Sequence, residues 1–309
     1  MKKKLYICNQ ISIEIIQTKY NKHLMKKIFF VAAATALALS SCSDNEINSI
    51  AVEKAQAPIS ISVYNQGQTR VTETVLSDLE AGFQLKAFNG ATPWINATVT
   101  ASGGAWIIGD GNTNYYWPGN DATAITFYGL YSPGSETIAN DGTVTFTPNG
   151  DSDIVASYKS ISYGDTNETG MVSLQFSHIN AQVAVATAVG DNTTDFGFEI
   201  EEIVYKVPTS CVYDFATAVT SAASATTINV ASELGVESML ILPATSFDMD
   251  VTYTVTEIRT GNTNTLTKTT TITPEAGKIN RYNVTLPHER AAMIITVNSV
   301  DNWVDPAAE

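Results

Sequence analysis

Apolar and polar residues alternate with a period of two along most of this chain. Ile59, Ile61 and Val63 are separated by Ser60 and Ser62. The pattern returns in Val251, Tyr253 and Val255 against Thr252, Thr254 and Thr256, and again in Tyr282, Val284 and Leu286. Successive side chains point to opposite faces only in an extended strand, so each segment puts one face on a core and the other in water. β-Branched and aromatic residues fill these segments, as strands favour. Turn-forming clusters punctuate them: SGG at 102–104, GDGN at 109–112, NDG at 140–142 and PNGD at 148–151. Only TETVLSDLE at 72–80 and residues 231–237 have room for a helical turn or two. Strands at this spacing without long helices predict an all-β chain of antiparallel β-sandwiches. The polar, turn-rich YGDTNETG at 163–170 is the expected break. It divides an N-terminal sandwich at 58–168 from a C-terminal one at 169–309. The Thr-rich run at 260–273 still alternates and reads as an edge strand with a polar face.

Residues 25–46 read MKKIFFVAAATALALSSCSDNE. Lys26 and Lys27 form a short basic region, and Ile28 to Leu39 is an apolar run of signal length, too short to span a bilayer. Leu39-Ser40-Ser41-Cys42 matches a bacterial lipobox. Cleavage before Cys42 would leave a terminal cysteine to carry acyl chains. Residues 25–41 are therefore expected to be a lipoprotein signal peptide, and 42–57 a polar lipidated tether. Residues 1–24 lack a signal-length apolar run and read as sequence upstream of a true start at Met25.

Removing residues 1–41 changes the charge. The whole chain has 17 basic and 31 acidic residues; seven of the basic ones and Glu14 lie in that stretch. Ten basic residues then face thirty acidic ones, a net charge of −20. Such a surface repels nucleic acid and anionic lipid, so membrane attachment is expected through acyl chains alone. Cys8 precedes the signal and Cys42 is the lipid site, which leaves Cys211 without a disulfide partner. The fold must then be held by its core, with Cys211 as a small buried hydrophobe.

No catalytic, cofactor or metal site emerges from the residues. His178 and His288 have no partners at metal-ligand spacing. There is no nucleophile elbow, phosphate-binding glycine loop or C-x-x-C. Asn149, Asp151 and Asp153 read as a polar turn rather than a calcium loop, since no later glutamate completes an EF-hand. Glu201 and Glu202 are adjacent on a strand and are expected to point to opposite faces. His178 shares an apolar strand face with Val172, Leu174 and Phe176 and reads as a core residue.

Several motifs then combine in order. The lipobox at Cys42 is followed by the alternating strand at 59–63 and by Thr69-Arg70-Val71. Next come YYWPGNDATAITFYGLYSPG at 115–134, SDIVAS at 152–157 and VSLQFSHINAQVAVA at 172–186. LILPATSFDMDVTYTV at 240–255, EAGKINRYNVTL at 275–286 and ITVNSVDNW at 295–303 complete the series. This order resembles the fimbrillin family of Bacteroidetes, the subunits of type V pili. Gly129 and Ser132 depart from the family's more usual alanine and tyrosine.

The resemblance implies two tandem transthyretin-like or Ig-like sandwiches, no enzymatic activity and no cofactor. It implies a pilin precursor delivered to the outer membrane by a lipid on Cys42 and displayed at the cell surface for adhesion to host or bacterial ligands. It also implies cleavage between Arg70 and Val71, releasing the first strand, with other pilin subunits as partners by donor-strand exchange. The segment 293–304 is the expected donor, since Ile295 and Val297 alternate with Thr296 and Asn298. The alternative is a monomeric surface lipoprotein that binds glycan by stacking sugar on Trp94, Trp106 or Trp117.

Overall fold

A computed structural model describes residues 57–65, 76–119, 122–188, 195–232, 239–285 and 294–303. The alternating segments are strands. The first half contains β1 (Ser60–Asn65), a short helix α1 (Leu76–Ala81), β2 (Phe83–Asn89), β3 (Thr92–Ser102), β4 (Ala105–Ile108), β5 (Ala124–Tyr131), β6 (Thr143–Phe146), β7 (Val155–Ser162) and β8 (Met171–His178). The second contains β9 (Asn180–Ala188), β10 (Phe196–Pro208), β11 (Cys211–Asp214), β12 (Val219–Ala222), β13 (Thr227–Ser232), β14 (Met239–Pro243), β15 (Phe247–Glu257), β16 (Thr263–Ile272), β17 (Lys278–Thr285) and β18 (Ile294–Asn302). The chain is all-β, as its period predicts. Of the helix expected at 72–80, α1 realises the second part. Ala231 and Ser232, expected near a helical turn, instead end β13; 233–238 lie outside the described residues.

The first sheet closes on itself in the order β1-β4-β3-β2-β5-β7-β8, because β8 returns to pair with β1. Closure removes sheet edges, which would otherwise present unpaired N–H and C=O groups. Inward residues of every strand fill the barrel, among them Ile61, Leu85, Val99, Phe127, Val172, Leu174 and Phe176. Phe176 meets Phe83 edge-on at 4.9 Å. A Cβ on Gly129 would lie 2.6 Å from its Cζ, so the glycine leaves the space that the ring occupies. This is where the chain departs from the alanine more usual in the resemblance.

The second half packs two sheets face to face. β13-β10-β15-β16 and β14-β9-β17-β18 enclose Val183, Tyr205, Leu242, Met249, Val251, Tyr282 and Val284. The Thr-rich run forms β16, an edge strand. Its hydroxyls meet those of β15 in two pairs, Thr252 with Thr267 and Thr254 with Thr265.

A third sheet, β12-β11-β6, joins the halves by pairing β6 with β11. Leu130, Ile138, Ile154, Cys211, Tyr213 and Phe215 share its core. The boundary expected at 168/169 falls just before β8, which completes the barrel; the change of sheet comes at Ile179, between β8 and β9.

Candidate strand-exchange site

Strand β1 is joined to the barrel unevenly on its two flanks. Alternation drives its burial: Ile59 and Ile61 are buried and Val63 packs against the same core, while Tyr64 is exposed. It runs parallel to β8 in six consecutive register pairs, from Ser60↔Met171 to Asn65↔Phe176. On its other side only Ile61↔Trp106 joins it to β4. Ser62 Oγ lies 2.9 Å from Ser173 Oγ. One flank is therefore fully zipped and the other barely.

The strand's entry is held by the aromatic segment at 115–117. The Ile59 N–H donates to the Tyr115 carbonyl at 2.7 Å, and the Trp117 N–H to the Ala57 carbonyl at 2.9 Å. The Trp117 indole N–H donates to the Gly170 carbonyl at 3.1 Å. Gly170 sits at φ +70°, and a Cβ there would lie 2.4 Å from the Pro58 oxygen. Only glycine allows the backbones of β1 and β8 to approach this closely.

This geometry bears on the stacking platform of the glycan-binding alternative. Trp117 is 1% exposed and meets Phe127 edge-on, so no face is open to a sugar. Trp94 and Trp106 are half-buried against the barrel core. The Trp94 indole donates to the Tyr116 carbonyl at 3.1 Å, and Trp106 tilts against Phe83.

Arg70 and Val71 stand in the connection between β1 and α1, outside the described residues, as does Cys42. Ile295 and Val297 lie on β18, which pairs with β17 at Ile295↔Val284 and Val297↔Tyr282. Directly opposed residues share a face. Ile295 and Val297 thus face the side on which Val284 and Tyr282 are buried. Ile295 packs against that core, but Val297 is 61% exposed. Ile294 and Val300 are exposed as well. β18 is an edge strand, with its pairing interrupted by an irregularity opposite Arg281/Tyr282. Arg281 Nη1 reaches Asp301 Oδ2 at 2.7 Å across the pair.

His178 is a core residue, as its strand face suggests. Its Nδ1 lies 2.8 Å from Asp153 Oδ1, both side chains being buried. An ionised carboxylate only accepts, so Nδ1 is the donor wherever Asp153 is charged. The imidazole stacks on Trp303, which comes directly after β18. Asp153 is thereby accounted for, and Asn149 Oδ1 accepts the N–H groups of Asp151 and Ser152 in an ordinary turn. Among the described residues no cluster of three or more metal-ligating side chains occurs. Burial pushes the Cys211 thiol up to about 11, which suits a packed hydrophobe rather than a nucleophile. Glu201 and Glu202 do not alternate as expected: both are exposed, because a β-bulge between Ile200 and Glu202 interrupts the register.

Sequence reasoning missed the clip at 115–117 and the stack on Trp303. An aromatic run and a late tryptophan were visible, but nothing local pairs them with residues far along the chain.

The fold is similar to solved structures of low sequence identity. A candidate cell adhesion protein from Bacteroides eggerthii aligns with a TM-score of 0.52 at 13% identity, covering 82% of this chain and 99% of that one. The fimbrial anchor protein Mfa2 from Porphyromonas gingivalis aligns at 0.43 and 10% identity, covering 80% and 100%. A fimbrial assembly protein from Parabacteroides distasonis aligns at 0.43 and 10%, covering 80% and 99%. Among curated proteins none matches. The model of the fimbrillin-like family matches residues 49–303, which span all of the described fold, and the chain belongs to that family.

Proposed function

We propose that this chain is a pilin precursor, a structural subunit of cell-surface fimbriae that is assembled by strand exchange for adhesion. The observation that carries the reading is β1 itself. It is the first strand of the barrel, it is tied to the remainder by one connection containing Arg70-Val71, and it plugs the core with Ile59, Ile61 and Val63. A cut after Arg70 leaves β1 held by noncovalent contacts only. Its departure would open a groove along β8, with unpaired backbone groups and pockets for apolar side chains. Each such side chain is worth about 1.5–3 kcal/mol when reburied. A groove of this kind accepts an added strand.

The donor in this reading is 293–304 of another subunit. It presents Ile295 and Val297 at the spacing of Ile59 and Ile61, and β18 at nine residues is longer than the six-residue strand it replaces. Acyl chains on Cys42 hold the precursor at the outer membrane until cleavage separates tether from fold. Nucleic acid is not a partner for so acidic a chain.

The test is to treat purified protein with an arginine-specific protease, sequence the new N-terminus and follow polymers on gels. The expected result is a terminus at Val71 and then ladders. Deleting residues 291–309 should abolish the ladders. Resistance of Arg70 while other arginines are cut, or ladders that survive the deletion, would refute the scheme.

A further inference from the structure

Strand β18 is poorly buried for an element of a stable sandwich. It lies at a sheet edge, Ile294, Val297 and Val300 are exposed, and among its described side chains Ile295 alone packs on the second core. Its ladder with β17 is interrupted by an irregularity. Such a strand opens at low cost. Trp303, one residue past its end, is held far more firmly. This side chain is 1% exposed and packs with Ile241 and Ile279. Its backbone N–H donates to the Gly277 carbonyl at 3.2 Å. Its indole stacks on His178 with ring centroids 3.9 Å apart and planes 7° from parallel. His178 closes β8 of the barrel, and its ring is fixed by the Asp153 carboxylate.

We propose that the His178–Trp303 stack is a latch that holds β18 in its own sheet and governs how readily the strand leaves it. The latch fastens a weakly held strand of the second half to a rigid strand of the first. Asp153 is a positioning residue: it sets the plane on which the indole lies. The consequence for assembly rests on the reading of β18 as donor strand. A donor must leave its sheet, and Trp303 is the largest buried group that must leave with it. The latch keeps β18 closed in the free precursor and opens when an acceptor groove competes for the strand.

Hydrogen exchange of the unprocessed full chain tests the latch without any polymer. In Trp303→Ala the β18 amides should exchange at least roughly tenfold faster, the factor that about 1.4 kcal/mol supplies. The β9 and barrel amides should keep their protection. His178→Gln, which keeps a hydrogen-bonding group beside Asp153 but removes the ring, should give a smaller acceleration that is largest in β18, and it decides the question if Trp303→Ala does not fold. Unchanged β18 exchange, or an equal loss across the whole chain, would overturn the latch. Ladder formation after arginine-specific cleavage is the second readout, and Trp303→Ala should speed it. If β18 opens faster yet wild type and variant form no ladders, the latch stands and the donor reading falls. If both form ladders at the same rate, the latch does not control assembly.

Discussion

The imidazole of His178 lies face to face on the indole of Trp303, which ties the last residue of β8 to the residue just past β18. The contact joins positions 125 residues apart, so it exists only once both halves have folded. His178→Gln should lower stability by about 1–3 kcal/mol, from the lost stack and a weaker bond to Asp153. Denaturant titration checks this, and surface display in cells should persist. A variant as stable as wild type would mean that the stack contributes nothing.

Phe176→Ala should cost about 3–5 kcal/mol, the usual range for truncating a buried aromatic. Phe176 belongs to the barrel, so the loss should appear in exchange of β2 and β5 rather than in the second sandwich, where the boundary at 168/169 would have placed it. Gly129→Ala alone should also destabilise, since its Cβ meets the Phe176 ring. In the double variant the ring is gone, and the two costs should sum to more than is measured.

Stability should decline at alkaline pH. Burial raises the Cys211 thiol from its ordinary 9.0 to about 11 and the Tyr213 and Tyr282 hydroxyls from 10.0 to about 12. The unfolded chain therefore loses these protons first. Their contribution is complete below pH 9 and is lost as pH rises, for Cys211 between about 9 and 11 and for the tyrosines between about 10 and 12. Denaturation midpoints at about pH 7, 9 and 10.5 check the trend. Replacing Cys211 by valine should remove the part that begins near pH 9.

Locking β18 to β17 should block assembly. Asn283 and Thr296 are register partners, opposed on the face away from the core. With Asn283→Cys and Thr296→Cys joined as a disulfide, cleaved protein should form no ladders, and reduction should restore them. Ladders from the oxidised form would show that this strand is not exchanged.

Cys42→Ala should abolish acylation. Metabolic labelling with palmitate that still marks the variant would end the lipoprotein assignment, whatever the fate of Arg70.

The period-two alternation by itself determined that the chain is all-β, which residues face a core, and that 260–273 makes an edge strand. It also placed His178 inside, because burial of a strand residue follows from its neighbours at i±2. Alternation names a face but not a partner. The closure of the first sheet by β8 on β1, the joining of the halves by β6 and β11, and the burial of Trp117 depend on pairings between distant segments, which no local pattern encodes. Glu201 and Glu202 show the same limit at small scale: a single inserted residue shifts the register, and only the partner strand β15 reveals it. Trp303 stands at the far end of this range. It follows the polar pair Asp301-Asn302, and only tertiary packing carries its indole onto His178, where the large apolar ring finds burial that its own strand does not provide.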